Sequence, residues 1–101
     1  MTTEPITGVR FLQSGGVVGA VRGCEFDCAV MPEDDAQTLA GLVRASGIVE
    51  SGEYLSPDAR DARLYEIHLL LPLRTISVTY DDGTLPETAR PLVSFLIATG
   101  M

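Results

Sequence analysis

A run of alternating residues in the second half of the chain most strongly limits what this sequence can fold into. From Arg63 to Leu71 one face of the run is apolar or aromatic at every second position, and the same alternation returns from Thr75 to Tyr80. A period of two predicts β-strands that bury one face. Pro72 and Leu73 stand between the two runs, where a turn is needed. We therefore predict an antiparallel hairpin here.

The N-terminal part of the chain predicts a second hairpin. Thr7 to Gln13 alternates like a half-buried strand, and a second extended run covers Val17 to Cys28. Ser14-Gly15-Gly16 separates the two runs, and consecutive glycines permit the positive φ angles of a tight turn. The sequence does not show which face of the second run is buried at Arg22-Gly23, where we predict a bulge or a bend.

Each hairpin is followed by a predicted helix. The first opens at Met31-Pro32, because proline is tolerated in a first turn, and Gly47 is its expected C-terminal stop. Its predicted buried stripe has the spacing i, i+3, i+4, i+7 and consists of Ala36, Leu39, Ala40 and Val43. Thr84 and Glu87 have the spacing of a capping box, and the second helix is expected from about Pro91 to Thr99.

The order of these elements predicts the fold class. The segment from Ile48 to Ala62 is interpreted as a long exposed connection without regular structure, and such loops are often functional. Two hairpins can merge into one sheet whose apolar face is covered by both helices. The sequence thus predicts an α+β fold: one antiparallel four-stranded sheet in ββαββα order, with two helices packed on one face. We expect one domain over residues 1–101, with residues 1–5 flexible.

Charge and hydropathy limit the partners. The net charge is −7, and all seven basic residues are scattered arginines. No positive stripe is therefore available to bind nucleic acid or an anionic membrane, and a neutral or basic protein surface is the better partner. No stretch approaches the roughly 18 apolar residues of a membrane span, and the N-terminus lacks the pattern of a signal peptide. We expect a cytoplasmic protein.

The residues do not predict a catalytic or metal site. His68 is the one histidine, and the sequence places no serine or cysteine to join it and Glu66. Cys24 and Cys28 would lie about 13 Å apart in a strand, too far for a disulfide, and zinc would need further ligands. Asp81-Asp82 matches no calcium loop and is interpreted as part of a turn. We expect no cofactor and no enzyme activity, and keep a small enzyme centred on His68 and Glu66 as an alternative.

Short motifs along most of the chain resemble one family. The early strand followed by Ser14-Gly15-Gly16-Val17-Val18-Gly19 resembles the Ser-Gly-Gly-x-x-Gly opening of the emfourin family. The second half is similar in Pro57-Asp58, Tyr65-Glu66-Ile67, Arg74-Thr75-Ile76-Ser77-Val78, Leu85-Pro86 and Arg90-Pro91-Leu92-Val93 through Leu96. The sequence departs from the family at Gln13, where arginine is expected, and at Val17-Val18, where an aromatic residue and alanine are frequent. The stretch from Gly23 to Glu53 is the least similar.

This resemblance implies a proteinaceous inhibitor of thermolysin-like (M4) zinc metalloproteases, with such a protease as the protein partner. One segment expected to bind the target is the hairpin with Ser14, Gly15, Gly16, Val17 and Val18, whose glycines let the backbone approach a cleft closely. The other is Tyr54-Leu55, apolar residues in a polar connection, where a leucine could fill a pocket beside the zinc. In an alternative interpretation Tyr54 and Leu55 only attach the loop to the core.

A different binding role also fits the residues. A small non-catalytic adaptor would dock on a partner unrelated to proteases, or would self-associate through a sheet edge. Such a protein would leave thermolysin-like activity unchanged. The sequence leaves open the oligomeric state, the target protease and the loop that enters the cleft.

Overall fold

Within residues 6–15, 21–57 and 62–100, which the computed structural model describes, the chain forms five strands and two α-helices. The strands are β1 (Gly8–Gly15), β2 (Arg22–Asp27), β3 (Gly52–Tyr54), β4 (Arg63–Leu70) and β5 (Thr75–Asp81). The helices are α1 (Glu33–Ser46) and α2 (Arg90–Gly100), and a 3-10 turn (Glu87–Ala89) leads into α2.

The strands form one mixed sheet in the order β2-β1-β4-β5-β3. Both predicted strand pairings are confirmed, since β1 pairs antiparallel with β2 and β4 pairs antiparallel with β5. The tight turn predicted at Ser14-Gly15-Gly16 is wrong, because Ser14 and Gly15 belong to β1 and pair with β4. β1 and β4 also pair antiparallel, which merges the hairpins. The four predicted antiparallel strands are present, but the prediction missed β3, which pairs parallel with residues 78–80 of β5 and makes the sheet mixed and five-stranded. The connection predicted over residues 48–62 therefore contains an edge strand.

One face of the sheet carries the core. Residues opposite each other on neighbouring strands share a face, so alternate positions form one apolar layer. The buried residues of this layer are Val9, Phe11, Phe26, Tyr65, Ile67, Leu69, Ile76, Val78 and Tyr80. Leu39 and Val43 of α1 and Leu92 and Leu96 of α2 belong to the same buried cluster. Both helices therefore cover this face, and no helix of the described ranges covers the opposite face, which we call the open face.

The ends of α1 follow the sequence prediction. Pro32 is the N-cap residue, the first turn holds three acidic residues and the last turn holds Arg44, an arrangement that suits the helix dipole. Gly47 has the left-handed conformation, with φ 75°, and its N–H donates to the Arg44 carbonyl, so the predicted stop is confirmed. No helix in the described ranges combines the length and apolar character needed to cross a membrane.

Two local predictions are wrong. The bulge at Arg22-Gly23 is absent, because β1 and β2 pair without interruption from Gly8 to Gln13. The capping box at Thr84 does not form: Pro86 is the N-cap of the 3-10 turn, and no side chain caps it. The short first turn before the second helix is confirmed, and Pro91 lies in the first turn of α2, where no backbone hydrogen bond is lost.

Candidate functional site

Three strands finish together at one end of the sheet. β1, β5 and β3 run in the same direction, so their last residues share this end with the first residues of β2 and β4. One cross-strand row runs from Gln13 through Tyr65 and Tyr80 to Tyr54. At about 4.8 Å per strand, the three spacings in this row amount to about 14 Å. We call this end, which carries Ser14-Gly15 and Tyr54-Leu55, the site end.

Ser14 and Gly15 close β1 at the site end. Ser14 is half-buried and Gly15 is exposed. Gly15 has φ 88°, and a Cβ atom at this position would lie 2.6 Å from the carbonyl oxygen of Ala62. Glycine is therefore required here both by conformation and by space. The other residues predicted for this contact lie outside the described residues: Gly16, Val17 and Val18.

Tyr54 and Leu55 form the second segment. Their side chains are 44% and 42% exposed. The Tyr54 ring stacks on Tyr80, with ring centroids 5.4 Å apart and an interplanar angle of 16°. It folds back over Gly52, where a Cβ atom would lie 2.5 Å from the Tyr54 hydroxyl oxygen. Tyr54 thus packs on Tyr80 and Gly52, and neither Tyr54 nor Leu55 belongs to the buried cluster.

Asp81 fixes the backbone directly after Leu55. Its buried carboxylate accepts hydrogen bonds from the Ser56 backbone N–H and, at 3.1 Å, from the Ser56 hydroxyl. It also accepts the N–H groups of Gly83 at 2.7 Å and Thr84 at 2.9 Å, which close the turn after β5. These bonds, led by the one from the Ser56 N–H, hold the pKa of Asp81 below its usual value despite burial. The anchor is therefore a charged carboxylate.

Thr84 fixes the backbone directly before Leu55. Its hydroxyl donates to the Tyr54 carbonyl oxygen and accepts the Asp81 N–H at 2.9 Å. The hydroxyl group predicted to cap a helix thus joins β3 to the turn after β5. Leu55 lies between two residues whose backbone atoms are both hydrogen-bonded to this turn.

Asp82 ties the same turn to β4. Its carboxylate accepts the Tyr65 hydroxyl at 2.6 Å and the Arg63 N–H at 3.2 Å. Burial, followed by this hydrogen bond, raises the pKa of Tyr65. The two neighbouring aspartates therefore attach both flanks of the segment between Ser56 and Arg63 to one turn.

No group of three or more His, Cys, Asp or Glu side chains in the described part of the chain could hold a metal ion. The Asp81 carboxylate, the strongest acidic candidate, is surrounded by hydrogen-bond donors. Cys24 and Cys28 are free, half-buried thiols, and burial raises the pKa of each, which makes the thiolate scarcer at neutral pH. Only Cys24 lies in β2, since Cys28 belongs to the turn that follows.

The open face of the sheet carries a serine that the sequence analysis did not connect with His68. Ser77 on β5 lies opposite His68, and its Oγ is 2.7 Å from the ring Nδ1. Glu66 Oε2 lies 3.1 Å from Nε2 of the same ring. This order resembles a nucleophile, a base and an orienting acid. However, the Ser77 N–H donates to Ser51 Oγ at 2.9 Å and is not available to stabilise an oxyanion, so the contacts fit a structural row across the sheet.

Sequence reasoning missed the anchoring residues Ser56, Asp81 and Thr84. Asp81-Asp82-Gly83-Thr84 after a strand is typical of a turn closed by an aspartate side chain, and this signal was present. Nothing in the sequence indicates that the same side chains also reach Tyr54 and Ser56, 25 to 30 residues earlier in the chain.

The structure is that of an α+β protein with an exposed apolar residue on anchored backbone at one end of its sheet. The Emfourin family model matches residues 11–97, and the chain belongs to this family of protease inhibitors. No curated protein and no solved structure matches the chain.

Proposed function

We propose that the chain inhibits thermolysin-like (M4) zinc metalloproteases by binding across the active-site cleft with its site end. The observation that carries the proposal is the family match over residues 11–97. The structure is compatible with this proposal, because Leu55 is exposed and the backbone on both sides of it is held by hydrogen bonds. In this role the chain is a ligand of the protease and catalyses no reaction. The zinc is that of the protease, and the inhibitor itself uses no cofactor.

Leu55 acts in this proposal as the apolar anchor. Transfer of a leucine side chain from solvent into a fully buried pocket contributes about 1.5–3 kcal/mol to the binding free energy. Tyr54 and Ser56 are already held by Thr84 and Asp81, so little conformational entropy is lost when the segment binds. A segment fixed on both sides also resists the rearrangement that a protease imposes on a substrate.

The hairpin after Ser14 and Gly15 provides the second contact. Gly15 ends β1 in a conformation that an L side chain rarely adopts, and its Cβ position is closed by the Ala62 carbonyl. The direction of the chain as it leaves β1 is therefore specified. In the proposal Gly16, Val17 and Val18 contact the protease surface, and the ends of β1 and β3 lie about 14 Å apart.

The test is the residual activity of a thermolysin-like protease after preincubation with increasing concentrations of the protein. We expect stoichiometric loss of activity while the inhibitor remains uncut. Full activity at a large excess, against both thermolysin and an M4 protease from the source organism, would overturn the proposal. An adaptor of another kind would give that result, and a stable oligomer would then indicate self-association.

Leu55→Ala and Leu73→Ala form a matched pair for the same assay. Leu73 is 94% exposed in the β4–β5 turn, at the end of the sheet opposite the site end. We expect Leu55→Ala to weaken inhibition about tenfold or more, since the loss of a buried leucine side chain corresponds to that ratio. Leu73→Ala should inhibit like the unchanged protein. Equal inhibition by both variants would remove Leu55 from the proposed contact.

A further inference from the structure

The outer edge of β2 is open. β2 is the terminal strand of the sheet, and in the described part of the chain only β1 pairs with it. It is six residues long and contains no proline and no bulge. Natural edge strands usually carry such features to prevent pairing with another chain. β2 lacks proline and a bulge, and its protection consists of the exposed charges of Arg22, Glu25 and Asp27. Its edge is therefore able to accept a strand whose charges complement these residues.

The backbone groups on this edge can be assigned from the register. The Cys28 N–H donates to the Thr7 carbonyl at 3.0 Å, which is the bond that flanks a non-hydrogen-bonded pair, so Gly8 and Asp27 form such a pair. In an antiparallel ladder such pairs alternate, so Phe26 bonds to β1 and Glu25 does not. Gly23 and Glu25 therefore direct their N–H and C=O groups outward. An added strand would bond to these two residues.

A groove lies beside this edge on the open face of the sheet. It has a volume of about 260 Å³ and is lined by residues that include Gly8, Glu25, Asp27 and Leu70. Gly8 stands between Leu70 and Asp27 in the register, and a Cβ atom there would lie 2.5 Å from the Phe26 carbonyl oxygen, so glycine is required at the floor of the groove. Leucine supplies an apolar wall and the two acidic residues supply charge. A long cationic side chain, with an alkyl stem and a charged head, has the matching chemistry.

Charge distinguishes the possible occupants of the edge. A second copy that pairs antiparallel through the outward-facing residues of β2 would place Glu25 opposite either Glu25 or Gly23. The first register sets like charges directly opposite each other, which destabilises a sheet. Two copies, each of net charge −7, also repel each other at long range. Arg10 contacts Glu25 at 3.6 Å, but both side chains are more than half exposed, so this pair is weak and replaceable. The edge therefore disfavours a second copy and favours a cationic strand.

We propose that the outer edge of β2 binds an extended, basic segment of a partner protein as a sixth strand. Backbone hydrogen bonds to Gly23 and Glu25 would provide the pairing, and alternate lysine or arginine side chains would meet Glu25, Asp27 and the groove. This contact is separate from the site end: the groove lies at Gly8, seven residues along β1 from Gly15, which corresponds to about 23 Å. It does not depend on protease inhibition.

The probe is a short synthetic peptide that alternates lysine and valine, titrated into the whole protein at low salt. We expect saturable binding, shifted NMR signals of the Gly23 and Glu25 amides, and slower hydrogen exchange at both. Two control peptides separate pairing from charge alone. One carries N-methyl groups on alternate residues, which block the backbone bonds, and the other replaces lysine by glutamate. Each should bind at least about tenfold more weakly.

Two protein variants complete the test. Glu25→Lys reverses the charge on the exposed edge and should weaken binding of the lysine peptide about tenfold or more. Leu55→Ala, at the site end, should bind the peptide like the unchanged protein. Equal binding of the N-methylated peptide would overturn the proposal, because charge alone would then explain it. Absence of saturable binding would also overturn it, as would a protein dimer whose formation protects Gly23 and Glu25.

Discussion

Asp81 and Ser56, 25 residues apart in the chain, are joined by two hydrogen bonds that end on one carboxylate. The same carboxylate closes the turn after β5. A single side chain thus connects the last residue of a central strand with the residue that follows Leu55. The position of the proposed contact depends on this connection.

Replacement of Asp81 by asparagine should destabilise the protein and weaken protease inhibition, because an amide has one acceptor oxygen for four donors. The folded state lowers the pKa of Asp81. Its stabilisation is therefore complete above the ordinary aspartate pKa of about 3.9 and is lost as the pH falls through the lower folded value. Thermal unfolding from pH 7 to pH 2 measures the effect. The difference between the unchanged protein and Asp81→Asn should shrink below about pH 4.

Glu50→Gln is the control for this experiment, because Glu50 is exposed. This variant should follow the unchanged protein at every pH. The prediction of a charged anchor would be contradicted if the difference in thermal stability between Asp81→Asn and the unchanged protein stayed constant down to pH 2.

Two glycine-to-alanine substitutions should have opposite effects. Gly15→Ala introduces a side chain at φ 88° and against the Ala62 carbonyl, and should cost about 1–2 kcal/mol of unfolding free energy. Gly41 lies within α1, where a Cβ atom would meet nothing within 4 Å. Gly41→Ala should therefore stabilise the protein by about 0.5–1 kcal/mol. Urea unfolding gives both values, and a stabilising Gly15→Ala would show that the strain at this position is unimportant.

Thr84→Val should loosen β3. Valine has nearly the same shape but removes the hydroxyl that bonds to the Tyr54 carbonyl and the Asp81 N–H. We expect the free energy of unfolding to fall by about 1–3 kcal/mol and the β3 amides to exchange hydrogen faster. Thr84→Ser retains the hydroxyl and should keep most of the protection. Unchanged exchange in Thr84→Val would mean that the ladder to β5 alone holds β3.

Tyr65→Phe should lower the free energy of unfolding by about 0.5–1.5 kcal/mol, because it removes the hydrogen bond to Asp82. The folded state raises the pKa of Tyr65, so its stabilisation is present below the ordinary tyrosine pKa of about 10 and is lost as the pH rises through the folded value. The difference in unfolding free energy between the unchanged protein and Tyr65→Phe, measured with urea, should therefore become smaller above about pH 10. Tyr54→Phe is the control at neutral pH, since no hydrogen bond of the Tyr54 hydroxyl occurs in the described residues. A difference that increases with pH would contradict this assignment.

Most of the fold could be predicted from the sequence because it rests on local patterns. Alternation identified the β4–β5 hairpin, and the glycine at Gly47 identified the end of α1. β3 could not be found in this way. Three residues are too few to show alternation, and their parallel pairing with β5 joins segments separated by the whole of β4. Such a pairing depends on tertiary contacts that no local window contains.

The candidate site was predictable only in part. Tyr54 and Leu55 attract attention as apolar residues in a polar stretch, but their anchors come from Asp81 and Thr84, far along the chain. The same limit applies to Ser77, whose contact with His68 follows from the strand register. Sequence patterns show which residues are unusual, whereas the register determines which residues meet.

The strands between Ser14 and Leu55 have a consequence for the choice of target. β4 and β5 separate the two segments, so the distance between them is a property of the sheet and does not depend on the loop sequences. In the proposed inhibitor, substitutions at Leu55 can therefore change which protease surface is matched while the spacing between the ends of β1 and β3 stays constant. Related chains could in this way diverge in their targets without a change of fold, and a protease would avoid both contacts at once only by altering the spacing of its own binding surfaces.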